Sequence, residues 1–247
     1  MDLCVGVSAV VAGGNVGHNR IQRDIDAANE VWKTCGIRFL LERVITIGTV
    51  DVSDTIGMGV TTFSNPPKIL NMLSIRPPGS SRFSIVIYYV YGNRFLDGSN
   101  GVSPYPLPLT QGGPRPSIIH TNDAHPDFTA TRFVLAHELG HTLFLNPNDL
   151  TLTNPSPTAT SDGYHDVNPN NLMYVGGVGT NPTINKEQCE KARSSALAPI
   201  CQPILIHFHP PSPPIPIHII LPHAPIPPYP PPGPPPPGPP SAPRMFL

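Results

Sequence analysis

The sequence predicts an α+β domain over residues 1–202, with a mixed, mostly parallel twisted sheet, a buried helix near 128–145 and a C-terminal helix. Three observations carry this reading. The chain opens strand–helix–strand, and a helix long enough to cross over points to parallel pairing. Residues 83–91 are almost continuously apolar, as a strand covered on both faces should be. Two later segments, near 128 and near 185, carry helix start and stop signals.

Taken in order, residues 3–11 read as the first buried strand. So short an apolar start also suits a signal-peptide core, but Asp2 stands where a basic residue is needed. Gly13-Gly14-Asn15 makes a turn. Ile21, Ile25, Ala28, Trp32 and Cys35 then recur at spacings of four and three, one face of an amphipathic helix that stops at Gly36. Residues 37–41 and 44–47 are β-rich and give the second strand. A short helix is expected within 66–76, around Ile69, Leu70, Met72 and Leu73, closed by Pro77-Pro78.

After the 83–91 strand, residues 92–116 are rich in Gly, Pro, Asn and Ser. Within them 101–105 predicts a short edge strand, where proline is tolerated, and 117–120 a last short strand. Asp127 is the expected N-cap of a helix from Phe128 to about Leu145, with Phe133, Ala136, Leu143 and Phe144 toward the core and Asn146-Pro147 as its stop. A polar loop follows to Asn171. Asn185-Lys186-Glu187-Gln188 fits a capping box for a final helix running to about Leu197. From about Pro203 the chain is dominated by proline, so 203–247 is read as an extended or disordered tail.

Bulk properties narrow the function. A net charge of -1 gives no electrostatic case for nucleic acid or an anionic membrane. No apolar run reaches the roughly 18 residues of a membrane span. There is no GxSxG, phosphate-binding loop or dinucleotide fingerprint. The four cysteines are too few for a disulfide scaffold. A Cys189–Cys201 pair, a bridge from Cys35 to the C-terminal region, and buried free thiols all remain open.

Chemistry enters with His137-Glu138-Leu139-Gly140-His141. Residues four apart share a helix face, so two imidazoles can reach one Zn²⁺ at about 2.0–2.1 Å each, with Glu138 beside them. A catalytic zinc takes three protein ligands and keeps one position open. Together with Asn171-Leu172-Met173-Tyr174, the HExxH run resembles the metzincin metallopeptidases, most closely the matrixin branch and its bacterial relatives. That family continues its motif with a glycine and a third histidine. Here Phe144 and Pro147 stand at those positions. His165, however, precedes Met173 by eight positions, the matrixin spacing, if residues 146–163 are an insertion. A longer loop costs little extra closure entropy, so His165 is the expected third ligand; Asp149, Asp162 and Asp166 compete as oxygen donors, and Glu187 or Glu190 would imitate another zinc-protease layout.

The resemblance implies a metzincin-like zincin fold and a metalloendopeptidase acting on peptide or protein substrates. Its metal would be one catalytic Zn²⁺ on His137, His141 and His165, with Glu138 as general base and Met173 as an apolar floor beneath the site. It implies an edge strand near 102–105 that binds substrate backbone, a monomer, and a secreted or extracellular setting. Matrixins also carry structural zinc and calcium. The ligand-type residues of 120–127 and the Asp97-Gly98-Ser99-Asn100-Gly101 run lie in comparable regions, but they read better as loop, cap and turn. The tail offers polyproline that an SH3- or EVH1-like groove would bind, or is an inert linker. Two other readings stand beside this one: a catalytically dead relative that binds a partner, and a toxin-like protease effector with one narrow target.

Overall fold

The computed structural model describes residues 2–13, 16, 18–57, 67–103, 116–145 and 151–201. The tail from 203, Pro104-Tyr105, the Asn146-Pro147 stop and Asp149 lie outside the described residues.

Strand β1 (Leu3–Ala12) is rich in valine and buried along most of its length. It can be, because it has neighbours on both sides and layers on both faces. It pairs in parallel with β2 (Ile37–Thr46) and with β3 (Ile85–Val90). Strand β5 (Ser117–His120) runs parallel to β3, and the two-residue β4 (Gly101–Val102) closes the edge antiparallel to β5. The order is β2-β1-β3-β5-β4, so the fully buried β3 is central, as its unbroken apolar run requires. One register shift interrupts the β1–β2 ladder, where Val7 faces Leu41 but Ser8 faces Arg43. Glu42 is the extra residue, and its carboxylate lies where a Cβ at Gly6 would stand, so a side chain there would have to displace it.

Helix α1 (His18–Trp32), extended by a 3-10 turn over Lys33–Cys35, is the crossover between β1 and β2. Gly36 ends it in the left-handed conformation, with φ of 64°. Its apolar face meets one side of the sheet together with α3 (Val134–Phe144). Trp32 sits between Phe39 and Phe144 in edge-on ring contacts and donates its indole N–H to the Ala136 carbonyl at 3.0 Å. A second core of Val10, Val52, Tyr88 and Ile119 lies on the opposite face, covered by α2 (Pro67–Leu73) through Ile69 and Met72. Among the described residues, no helix is long and apolar enough to cross a membrane.

Three boundaries differ from the sequence reading, one of them the 83–91 strand, which spans only Ile85–Val90 and leaves Phe83 and Tyr91 exposed outside it. Helix α3 begins at Val134 rather than Phe128, and Asp127 does not cap it. Both Asp127 oxygens accept from Arg23 Nη1 at 2.7 Å, while 125–134 descends through i-to-i+3 turns at Phe128, Thr131 and Val134. Helix α4 (Lys186–Arg193) has the expected capping box but stops short of Leu197. There Ser194 donates its hydroxyl to the Lys191 carbonyl and Ser195 accepts from the Leu197 N–H, serine side chains competing with helix propagation.

The cysteines form two bridges, Cys4–Cys201 and Cys35–Cys189. Neither the Cys189–Cys201 pair nor the free-thiol alternative holds; the bridge from Cys35 to the C-terminal region does. The sequence neighbours Cys189 and Cys201 are parted because 199–201 returns beside the start of β1, with Cys4 N–H bonded to the Pro199 carbonyl and Cys201 N–H to that of Asp2.

A buried polar group lies where α1 crosses the ends of β3 and β5. Arg20 donates to the carbonyls of Thr121 and Ala124 at 2.7 and 2.8 Å, and Asp24 lies 3.6 Å from both Arg20 Nε and His120 Nδ1. Burial pushes the Asp24 carboxyl up to about 7, against the opposing charge of Arg20, and holds His120 well below its usual range. An acid whose folded pKa is raised binds more protons folded than unfolded, so its contribution to stability falls as pH rises from about 4 to about 7. The wild type should therefore lose stability relative to Asp24→Asn across that window, as urea unfolding at each pH would read. Parallel profiles would contradict the assignment.

Candidate metal centre

Leu135 through Phe144 of α3 are all buried, so this helix has no solvent face. Its two histidines are one turn apart, with ring centroids separated by 4.7 Å. His137 Nδ1 lies 2.7 Å from the Leu172 carbonyl oxygen. A carbonyl only accepts, so Nδ1 carries the proton and Nε2 presents a lone pair. That Nε2 is 3.1 Å from His141 Nε2. Two nitrogens on one tetrahedral ion, each at about 2.0–2.1 Å, would lie about 3.3 Å apart, so the pair already has ligand spacing.

The third imidazole arrives from the irregular segment 151–170. His165 stacks on His137 with centroids 5.5 Å apart and meets His141 edge-on at 5.0 Å. Ligand atoms of all three histidines fall within 4.8 Å of one another. The His165 backbone is held at both ends: its N–H donates to Thr160 Oγ1, and its carbonyl accepts from the Thr160 N–H and Asn154 Nδ2. Its ring is 3.7 Å from the Asp162 carboxylate.

Burial shapes the protonation of the site. It lowers His137 to about 4 and holds His141 well below its usual range, so both are neutral at pH 7, the state a metal requires. Burial also raises Glu138 to about 7, partly offset by hydrogen bonds with Ser103. The Glu138 side chain lies against β4: its Cγ and Oε1 are 3.1 and 3.4 Å from where a Gly101 Cβ would stand. The Ser103 hydroxyl donates to the Glu138 carbonyl at 2.7 Å, tying that edge to α3.

Beneath the histidines lies the 171–174 turn. Met173 is buried, and its sulfur is 2.6 Å from where a Cβ at Gly140 would stand, so glycine at that helix position leaves room for the thioether. Asp166, adjacent to His165, is fully buried rather than solvated. Its carboxylate accepts from Thr158 Oγ1 and the Asn168 N–H, and its backbone N–H bonds the Met173 carbonyl at 2.7 Å. It ties the His165 loop to the turn instead of joining the ligand cluster.

The remaining candidates divide plainly. Asp162 accepts from the Tyr164 N–H and the Thr160 hydroxyl, and Glu187 and Glu190 are exposed on α4. In the 120–127 run, His120 is buried against Tyr89, Asp123 pairs with Arg94, and Asp127 pairs with Arg23. Asp97 accepts from the Ser99 N–H and hydroxyl, a turn. Among the described residues, His137, His141 and His165 form the one cluster of metal-ligand type. Sequence reasoning did not find the buried amides of Asn154, Asn171 and Gln188 behind the site; only the capping box pointed toward Gln188.

No family model and no curated protein matches the chain. Solved structures similar to it include metalloproteinase-II from Bacteroides fragilis, at 16% identity and a TM-score of 0.49, covering 77% of this chain and 52% of that one. Another is archaemetzincin from Methanopyrus kandleri, at 12% identity and a TM-score of 0.44, covering 76% of this chain and 93% of that one. The chain thus spans about half the length of the Bacteroides protein.

Proposed function

We propose that this chain is a zinc-dependent endopeptidase of metzincin type, in which His137, His141 and His165 hold the metal and Glu138 is the general base. The observation that carries the reading is the convergence of three histidines, two of them deeply buried on α3, with the buried carboxyl of Glu138 on the same helix. His137 Nε2 and His141 Nε2 face each other at 3.1 Å, the spacing of two nitrogens bonded to one tetrahedral ion. A divalent cation of borderline softness suits a three-nitrogen set.

When bound there, zinc supplies a water acidified toward pKa ~7 and polarises a carbonyl. The chain's own residues do the rest. Glu138, buried on the helix that carries His137 and His141, takes the proton of the attacking water and delivers it to the leaving amine. The Leu172 carbonyl keeps His137 in the tautomer that offers Nε2. Strand β4, at the sheet edge beside Glu138, has the position from which a peptide backbone could be bound as an added strand. Met173, packed under Gly140, matches the floor residue of the family's Met-turn.

The test is casein or gelatin cleavage by the purified chain, with and without a chelator. Cleavage that stops on chelation and returns with zinc is the expected result. Zinc-loaded protein that leaves both substrates intact would contradict an endopeptidase of general specificity.

A further inference from the structure

Gln188 occupies the third helical position of a capping box, a role that needs only local bonds. Its side chain does more. The residue is fully buried, and its carboxamide uses all four of its hydrogen-bonding positions. Oε1 accepts from the Asn185 backbone N–H and from Asn171 Nδ2, each at 3.0 Å. Nε2 donates to Asn154 Oδ1 at 2.9 Å and to Asn171 Oδ1 at 3.1 Å. Only the first of these bonds belongs to the helix cap.

The other three lead to the histidines along two routes. Asn154 Nδ2 donates to the His165 carbonyl at 2.9 Å. Asn171 Oδ1 accepts from the Met173 N–H at 2.8 Å, next to Leu172, whose carbonyl holds His137 Nδ1. One buried amide therefore grips both the loop that presents the third histidine and the turn that orients the first. Helix α4 is itself anchored, since Cys189 is bridged to Cys35 and Arg193 donates to the Cys35 carbonyl at 2.7 Å. The 151–170 segment holds no helix or strand, only isolated bridges and local backbone bonds, and the side-chain amides are what tie it across to α4 and the 171–173 turn.

We propose that Gln188 is a positioning residue for the metal centre: its carboxamide fixes the His165 loop against the 171–173 turn and thereby sets the affinity of the three histidines for a divalent cation. This rests on the zinc reading above. A ligand left on a loose loop must be ordered when the ion binds, and that cost appears as lost affinity. Outer partners of metal ligands typically account for about 10- to 100-fold in affinity.

The experiment measures zinc affinity of the full-length, oxidised chain by competition with a chromophoric chelator, alongside urea unfolding of the metal-free protein. Gln188→Glu keeps an acceptor for the cap N–H but replaces both donors with an oxygen facing two other oxygens. Ile69→Ala empties part of the core on the opposite face of the sheet and leaves the Gln188 bonds to Asn154 and Asn171 in place. The expected result is zinc binding weakened about 10- to 100-fold in Gln188→Glu and by less than about 3-fold in Ile69→Ala, although both lose stability. Asn154→Ala, which cuts the same route at the loop, should match Gln188→Glu and serves in its place if that variant does not fold. Equal zinc affinity in all three, or losses that merely track stability, would overturn the proposal. A wild type that binds no zinc at all would instead overturn the metal reading on which it rests.

Discussion

Replacing Glu138 by alanine should leave one zinc bound per chain and lower peptide hydrolysis by about 10²- to 10⁴-fold, the usual span for a lost general base. The two readouts separate because the three histidines supply the ligand cluster without it. Glu138 lies on the neighbouring face of α3, against Gly101 and near Ser103. Folding is not expected to suffer greatly, since burial already disfavours this carboxylate enough to raise its pKa to about 7. Metal content by mass spectrometry and cleavage of a quenched peptide would read the two effects. A zinc-replete variant with full activity would remove Glu138 from the mechanism.

Reducing the two disulfides should cost the fold most of its stability. Cys4–Cys201 and Cys35–Cys189 span 197 and 154 residues, and loops of that size each remove about 5 kcal/mol of chain entropy from the unfolded state. The loops are nested, so with the inner one closed the outer removes less, and the two do not simply add. Against a typical total of about 5–15 kcal/mol, either loss is large. The Cys35→Ser/Cys189→Ser double variant should lose about 2–5 kcal/mol in urea unfolding. It should also bind zinc more weakly, because α4 would be less firmly anchored. Identical unfolding curves for oxidised and reduced protein would contradict this.

Much of the fold was legible because its signals are local. The apolar run at 83–91, the four-and-three spacing from Ile21 to Cys35 and the capping box at Asn185 each specify an element within a dozen residues. His165 was expected beside His137 and His141 from the resemblance, through its eight-residue spacing to Met173, and the structure brings the three rings together. Asp127 misled because its side chain has a better partner in Arg23, about a hundred residues earlier, which no local pattern reveals. The cysteine pairing was hidden similarly, being set by the return of 199–201 alongside β1. Asp166 stood as a competing oxygen donor because neither its burial nor its partners are local, both depending on Thr158 and the 171–174 turn.

Zinc K-edge absorption of the chain loaded with one equivalent of zinc tests the three-histidine site most directly. Three imidazole nitrogens and one further light atom at about 2.0–2.1 Å are expected, with one imidazole lost in His165→Ala. A chain that retains no zinc, or a spectrum unchanged by His165→Ala, would contradict the three-histidine site.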